Sequence, residues 1–201
     1  MLEFMPMRKI ARWSREIVCS EKIDGTNSSV FISDDGSEFL CGSRNRWITP
    51  EKDNFGFAAW AMDHKAELMN LGPGHHFGEW WGSGIQRGYG LPQGEKRWSL
   101  FNVQRWCLHG ETPKQLPTDR PDVTKPQEVL PACVGLVPVL WRGNMNDFDA
   151  DAMIKHLKAH GSYAAPFLNP EGIVICHVAG NVLFKKTIEG DEKPKGKKET
   201  V

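Results

Sequence analysis

The order of apolar and polar residues reads as many short strands, two helices and several sharp turns. Residues 17–20 form an apolar run that leads into Glu21-Lys22-Ile23-Asp24-Gly25-Thr26-Asn27. Residues 30–33 and 39–42 are strand-like and flank Asp35-Gly36, a pair that tolerates the positive φ of a hairpin turn. Ala58, Met62 and Leu68 fall at helical spacing within residues 53–71, and Gly72-Pro73-Gly74 stops that helix. Residues 75–81 read as a strand in which Trp80 and Trp81 alternate, so only one face should reach the core. A glycine-rich loop (Gly82, Gly84, Gly88, Gly90) and a strand over residues 98–106 follow.

Residues 109–131 are rich in Pro and polar side chains and read as a long surface connection. Residues 134–141 are strand-like, with Pro138 marking an edge or a bulge. Ala150, Met153, Ile154 and Leu157 follow the i, i+3, i+4, i+7 rule, so a helix runs to about His160. Residues 171–178 and 182–188 form a closing hairpin over Ala179-Gly180-Asn181. Strands that follow one another without crossover helices indicate an α+β fold: antiparallel sheets with packed helices.

Composition adds limits. The 201 residues are 40% hydrophobic and 25% charged, which suits one domain with a real core. Eight Trp and ten Phe can fill that core or stack on bases. The net charge is zero, so any grip on nucleic acid must come from cations gathered locally. Lys193-Pro194-Lys195-Gly196-Lys197-Lys198 is one such cluster, and as a chain end it reads first as a solvated tail. The five cysteines, at 19, 41, 107, 133 and 176, form no CxxC pair, which points away from a zinc site and toward a reducing, cytoplasmic setting. No stretch is apolar enough to span a membrane, and the first residues lack a signal-peptide core.

Lys22 is the informative residue. A lysine amine attacks phosphorus only when unprotonated, and its reference pKa is about 10.4, so cationic neighbours, a metal or desolvation must lower it. Gly25 allows the backbone to turn closely around a nucleotide.

Lys22-Ile23-Asp24-Gly25-Thr26-Asn27 resembles the adenylation motif of RNA ligases, within the covalent nucleotidyltransferases that include DNA ligases and capping enzymes. Further runs stand in that family's order. Ser43-Arg44-Asn45-Arg46 resembles the second motif, His76-Phe77-Gly78-Glu79 with Gly84-Ile85-Gln86 the third, and Leu100-Phe101-Asn102-Val103 the next. Glu171-Gly172-Ile173-Val174 and Phe184-Lys185-Lys186 resemble the last two. The likeness is strongest to duplex-repair RNA ligases. It implies an ATP-grasp-like nucleotidyltransferase domain over residues 1–190, with a basic tail over 191–201. It implies ATP, Mg²⁺ or Mn²⁺, and RNA ends as partners. Lys22 would carry AMP, Glu21 would help read adenine, and Ile23 would take part in binding the nucleotide. Asn27 and Arg44 would serve the nucleotide and the RNA end, Glu79 the ribose, and Phe101 the adenine face. Glu171 would serve the metal and phosphate, and Lys185 and Lys186 the α-phosphate.

Two departures stand out. The family's paired lysines are separated by one residue; here Lys185 and Lys186 are adjacent, so only one can face the phosphate unless the strand is bulged. Asn102 stands where an acidic residue is usual. A capping-type guanylyltransferase and a non-catalytic RNA-end module are the rival readings.

Overall fold

The computed structural model describes residues 4–7, 10–103 and 130–191. The expected connection, over its residues 109–129, and the basic tail from residue 192 lie outside the described residues. Two sheets form the frame. A six-stranded sheet has the order β4-β3-β2-β5-β6-β7, and a four-stranded sheet has the order β10-β9-β1-β8. The strands are β1 Glu16–Lys22, β2 Thr26–Ile32, β3 Phe39–Ser43, β4 Trp47–Ile48, β5 Gly74–Gly82, β6 Lys96–Leu100, β7 Val134–Leu136, β8 Val139–Asn144, β9 Gly172–His177 and β10 Val182–Thr187. Among the described residues all ladders are antiparallel except β6–β7. The fold is α+β, as the strand pattern implied.

Three apolar clusters hold the layers. One packs Val30, Ile32, Trp80, Trp98 and Leu100 against helix α1 (Phe57–Asp63) through Phe57, Ala58 and Ala61. A second packs Ile17, Cys19, Ile173 and Ile175 against helix α3 (Ala150–His160) through Met153, Ile154 and Leu157. The third lies between the sheets and joins Val18, Ile23, Trp81, Tyr89 and Val139. Asp149 caps α3 by accepting from the amides of Asp151 and Ala152, and Gly161 ends it.

Several expectations change. The single helix expected over 53–71 is three short pieces: α1, α2 (Lys65–Leu68) and a 3-10 turn Met69–Leu71. The break falls at His64, whose φ of −101° and ψ of 13° leave the helical region. Met62 is exposed rather than core. Trp80 and Trp81 are both buried, because both faces of β5 are covered there. The strand expected over 134–141 divides at Val137-Pro138 into β7 and β8, edge strands of different sheets. Proline has no amide to give a ladder, so the crossing between sheets sits there, and the Pro138 carbonyl instead accepts from the Glu21 amide at 2.8 Å. β6 ends at Leu100, earlier than residue 106, and residues 104–106 lie outside the described part.

Cys19, Cys41, Cys133 and Cys176 are free thiols. Among the described residues, no helix is long and apolar enough to cross a membrane.

Candidate active site

The site forms where the ends of β1 and β9 face β2 and β5. Lys22 closes β1 and pairs with Gly172 at the start of β9. Its Nζ donates to Glu171 Oε2 at 2.5 Å, with the lysine side chain 22% exposed and the glutamate 6%. Glu171 reaches Lys22 because the chain enters β9 irregularly. Gly172 has φ 156°, and a Cβ there would stand 2.2 Å from the Lys186 carbonyl oxygen. Only glycine permits that close approach of backbone to backbone.

Glu79 faces this pair from β5. Its Oε1 accepts from the Gly25 amide at 2.9 Å, and its Oε2 accepts from Asn27 Nδ2 at 3.0 Å. Burial pushes the Glu79 carboxyl up to about 7, against the opposing pull of the Gly25 amide, the Lys22 ammonium and the Asn27 amide. Glu79 therefore gains a proton easily near neutrality, whereas Glu171 is tied to a cation.

The turn after Lys22 is clamped from outside the motif. Tyr89 is fully buried, accepts from the Asp24 amide at 3.0 Å and donates to the Lys22 carbonyl at 3.4 Å. Arg87 pairs with Asp24 at 3.1 Å and also donates to the Asn169 carbonyl. Sequence reasoning treated this stretch as a glycine-rich loop and missed both residues. The signal available was weak: a Tyr and an Arg between glycines that let the loop fold back.

The remaining residues separate into those near Lys22 and those elsewhere. Glu21 is fully buried, and its carboxylate accepts from Ser162 Oγ at 2.6 Å and from the amides of Tyr163 and Ala164 at 2.7 and 3.2 Å. It holds the loop after α3, so the expected adenine contact does not come from an idle carboxylate. The Ile23 side chain lies in the core between the sheets, which leaves only its backbone for a nucleotide. Arg44 is exposed on the β3–β4 turn. Phe101 is 41% exposed, and its amide donates to the Phe77 carbonyl at 3.0 Å.

The two lysines of β10 part company. Directly paired residues on neighbouring strands share a face, and successive residues alternate. Lys185 pairs with Val174, which pairs with Ser20, two residues before Lys22; Lys185 thus lies on the Lys22 face. Lys186 pairs with Ile173 and Glu21 on the opposite face, where its Nζ meets Asp151 of α3 at 3.1 Å. β10 is unbulged against β9. The adjacent lysines therefore cannot both point at one phosphate from this strand.

Among the described residues no group of three or more His, Cys, Asp or Glu gathers as a ready-made metal site. Glu171 and Glu79 offer only oxygen donors. Such donors suit Mg²⁺ or Mn²⁺, ions that commonly take their other positions from phosphate and water.

The architecture and the sequence both have known counterparts. A variant of Naegleria gruberi RNA ligase with ATP and Mn superposes with a TM-score of 0.57 at 20% identity, over 92% of this chain and 53% of that one. A ligand-free variant of the same ligase gives 0.52 at 21% identity, over 87% and 50%. The chain thus spans about half the length of these ligases. A search of curated protein sequences finds no match. The sequence profile of the RNA ligase family matches residues 15–187, from the start of β1 to the end of β10, and the chain belongs to that family.

Proposed function

We propose that the chain seals RNA ends with ATP through a covalent lysyl-AMP on Lys22. The observation that carries this reading is the Lys22 Nζ held 2.5 Å from Glu171 in a cleft that Glu79 faces. ATP is the nucleotide with the Naegleria ligase variant noted above.

Lys22 must lose a proton before it attacks, and Glu171 Oε2 is the acceptor within reach. The Nζ–P bond to the α-phosphorus then forms as the bond to the β-phosphate oxygen breaks, and pyrophosphate leaves. The 5′-phosphate of an RNA end next displaces Lys22 from the AMP phosphorus, which returns the amine and caps the end with AMP. A 3′-hydroxyl then attacks the capped 5′-phosphate, expels AMP and forms the phosphodiester. Lys185, on the Lys22 face, is placed to offset charge that develops on the α-phosphate. Glu79 holds Gly25 and Asn27 in place beside the nucleotide. Mg²⁺ or Mn²⁺ on Glu171 would add positive charge beside the triphosphate and compete with Lys22 for that carboxylate, which favours the free amine.

Incubation with labelled ATP or GTP tests the reading. ATP should label the protein in a bond that survives base and is lost in acid. Labelling by GTP instead would favour a capping-type enzyme, and labelling by neither would favour a binding module.

A further inference from the structure

The outer half of the six-stranded sheet carries a feature that adenylation does not use. On the face that holds Asn27 and Glu79, alternate residues continue outward as Ser29 and Phe31 on β2, and as Phe77 and His75 on β5. Trp47 joins from β4, because it pairs with Gly42, which pairs with Ser29. The rings form a row. His75 stacks on Phe77 with centroids 4.1 Å apart and planes 29° from parallel. It stacks on Trp47 at 5.5 Å and 23°. Phe31 packs edge-on against His75 at 6.0 Å. The row starts beside Phe101, whose amide bonds to the Phe77 carbonyl.

The row is held in place from below. His75 Nε2 and Ser29 Oγ lie 2.9 Å apart, which fixes the imidazole. A Cβ at position 42 would stand 2.5 Å from Ser29 Oγ and 3.4 Å from the Trp47 ring. Glycine therefore leaves room for the indole to lie against the strand. The two ends of the row are nevertheless open to solvent: Trp47 and Phe77 are each 53% exposed. Apolar area of this kind gains free energy when it is covered.

Charge decides what covers it. Arg46, one residue before Trp47, is exposed and forms no ion pair among the described residues. Arg44 shares that turn and that condition. Exposed flat rings with unneutralised guanidinium groups on the adjoining β3–β4 turn suit a ligand with π-faces and a phosphate backbone. A duplex hides its base faces, so the ligand must be unpaired.

We propose that Trp47 and Phe77, braced by His75 between them, form a stacking platform for unpaired bases of single-stranded RNA leading away from the end handled at Lys22. The proposal rests on the reading of Lys22 as the centre that handles RNA ends, and its test keeps the two apart. Fluorescence anisotropy would follow the full chain binding a 5′-phosphorylated single-stranded oligoribonucleotide, and the same sequence in a blunt duplex. Lysyl-AMP formation would be measured on the same samples. Trp47→Ala and Phe77→Ala should each weaken single-strand binding roughly tenfold or more, as loss of a stacked base does. Trp47→Phe should restore most of it, and lysyl-AMP formation should persist. Thermal melting checks that the half-exposed positions leave the fold intact.

Unchanged single-strand affinity in both alanine variants overturns the platform, as does equal loss of duplex and single-strand binding. Loss of lysyl-AMP formation in the variants would assign the rings to the ATP site and overturn it too. Failure of the wild type to form lysyl-AMP, with the ring-dependent RNA binding intact, would instead sink the ligase reading alone.

Discussion

Lys186 Nζ lies 3.1 Å from Asp151 Oδ1, on the face of β10 away from Lys22. Its neighbour Lys185 lies on the Lys22 face. Lys185→Ala should therefore reduce self-adenylation by about 10-fold to 1000-fold, the scale of losing one charge-stabilising donor. Lys186→Ala should reduce it only slightly and leave stability nearly unchanged, since an exposed ion pair contributes little. Single-turnover adenylation of both variants checks this. Equal and severe losses would mean that Lys186 leaves Asp151 and also reaches the nucleotide.

Glu79 ties stability to pH. Its folded pKa is about 7 against an ordinary 4.5. Between those values the native state keeps a proton that the unfolded chain has released. Stability contributed by the protonated carboxyl is thus present at low pH and lost as pH rises through about 7. Glu79→Gln should flatten that decline, which urea midpoints across this pH window would show. A wild-type profile that rises with pH through this window, unchanged by the substitution, would count against the assignment.

Glu21 is a structural test of the site. Its carboxylate satisfies Ser162, Tyr163 and Ala164 at once. Glu21→Ala leaves those donors buried without their acceptor and should cost about 2 kcal/mol or more. Denaturant unfolding measures the loss. Self-adenylation should fall as well, because Lys22 is the next residue on β1. A variant as stable as the wild type would show that water replaces the carboxylate at no cost.

Much of the fold was legible because period-2 apolar runs and turn residues are local signals. The Asp35-Gly36 turn, the α3 helix with its spacing, and the closing β9–β10 hairpin all appear in the structure near their expected limits. The helix over 53–71 was misjudged because apolar spacing alone did not register the non-helical backbone at His64. The paired burial of Trp80 and Trp81 was hidden because strand alternation says nothing about a second layer. In the site, Lys22, Glu79 and Glu171 stand in motif order along the chain, and the structure brings them to one cleft. Tyr89, Arg87 and Ser162 were not legible. They meet the motif across 63 to 141 residues of sequence, through contacts that only the folded sheets create. The aromatic row has the same character, since Trp47 reaches His75 by way of two intervening strands.

The proposed function turns on AMP carried by Lys22. Intact-protein mass spectrometry after incubation with ATP and Mg²⁺ or Mn²⁺, followed by peptide mapping, tests it most directly. The expected result is one AMP per chain on the peptide containing Lys22, removed by acid and absent from Lys22→Ala. An adduct that persists in Lys22→Ala, or that maps to another residue, would contradict it.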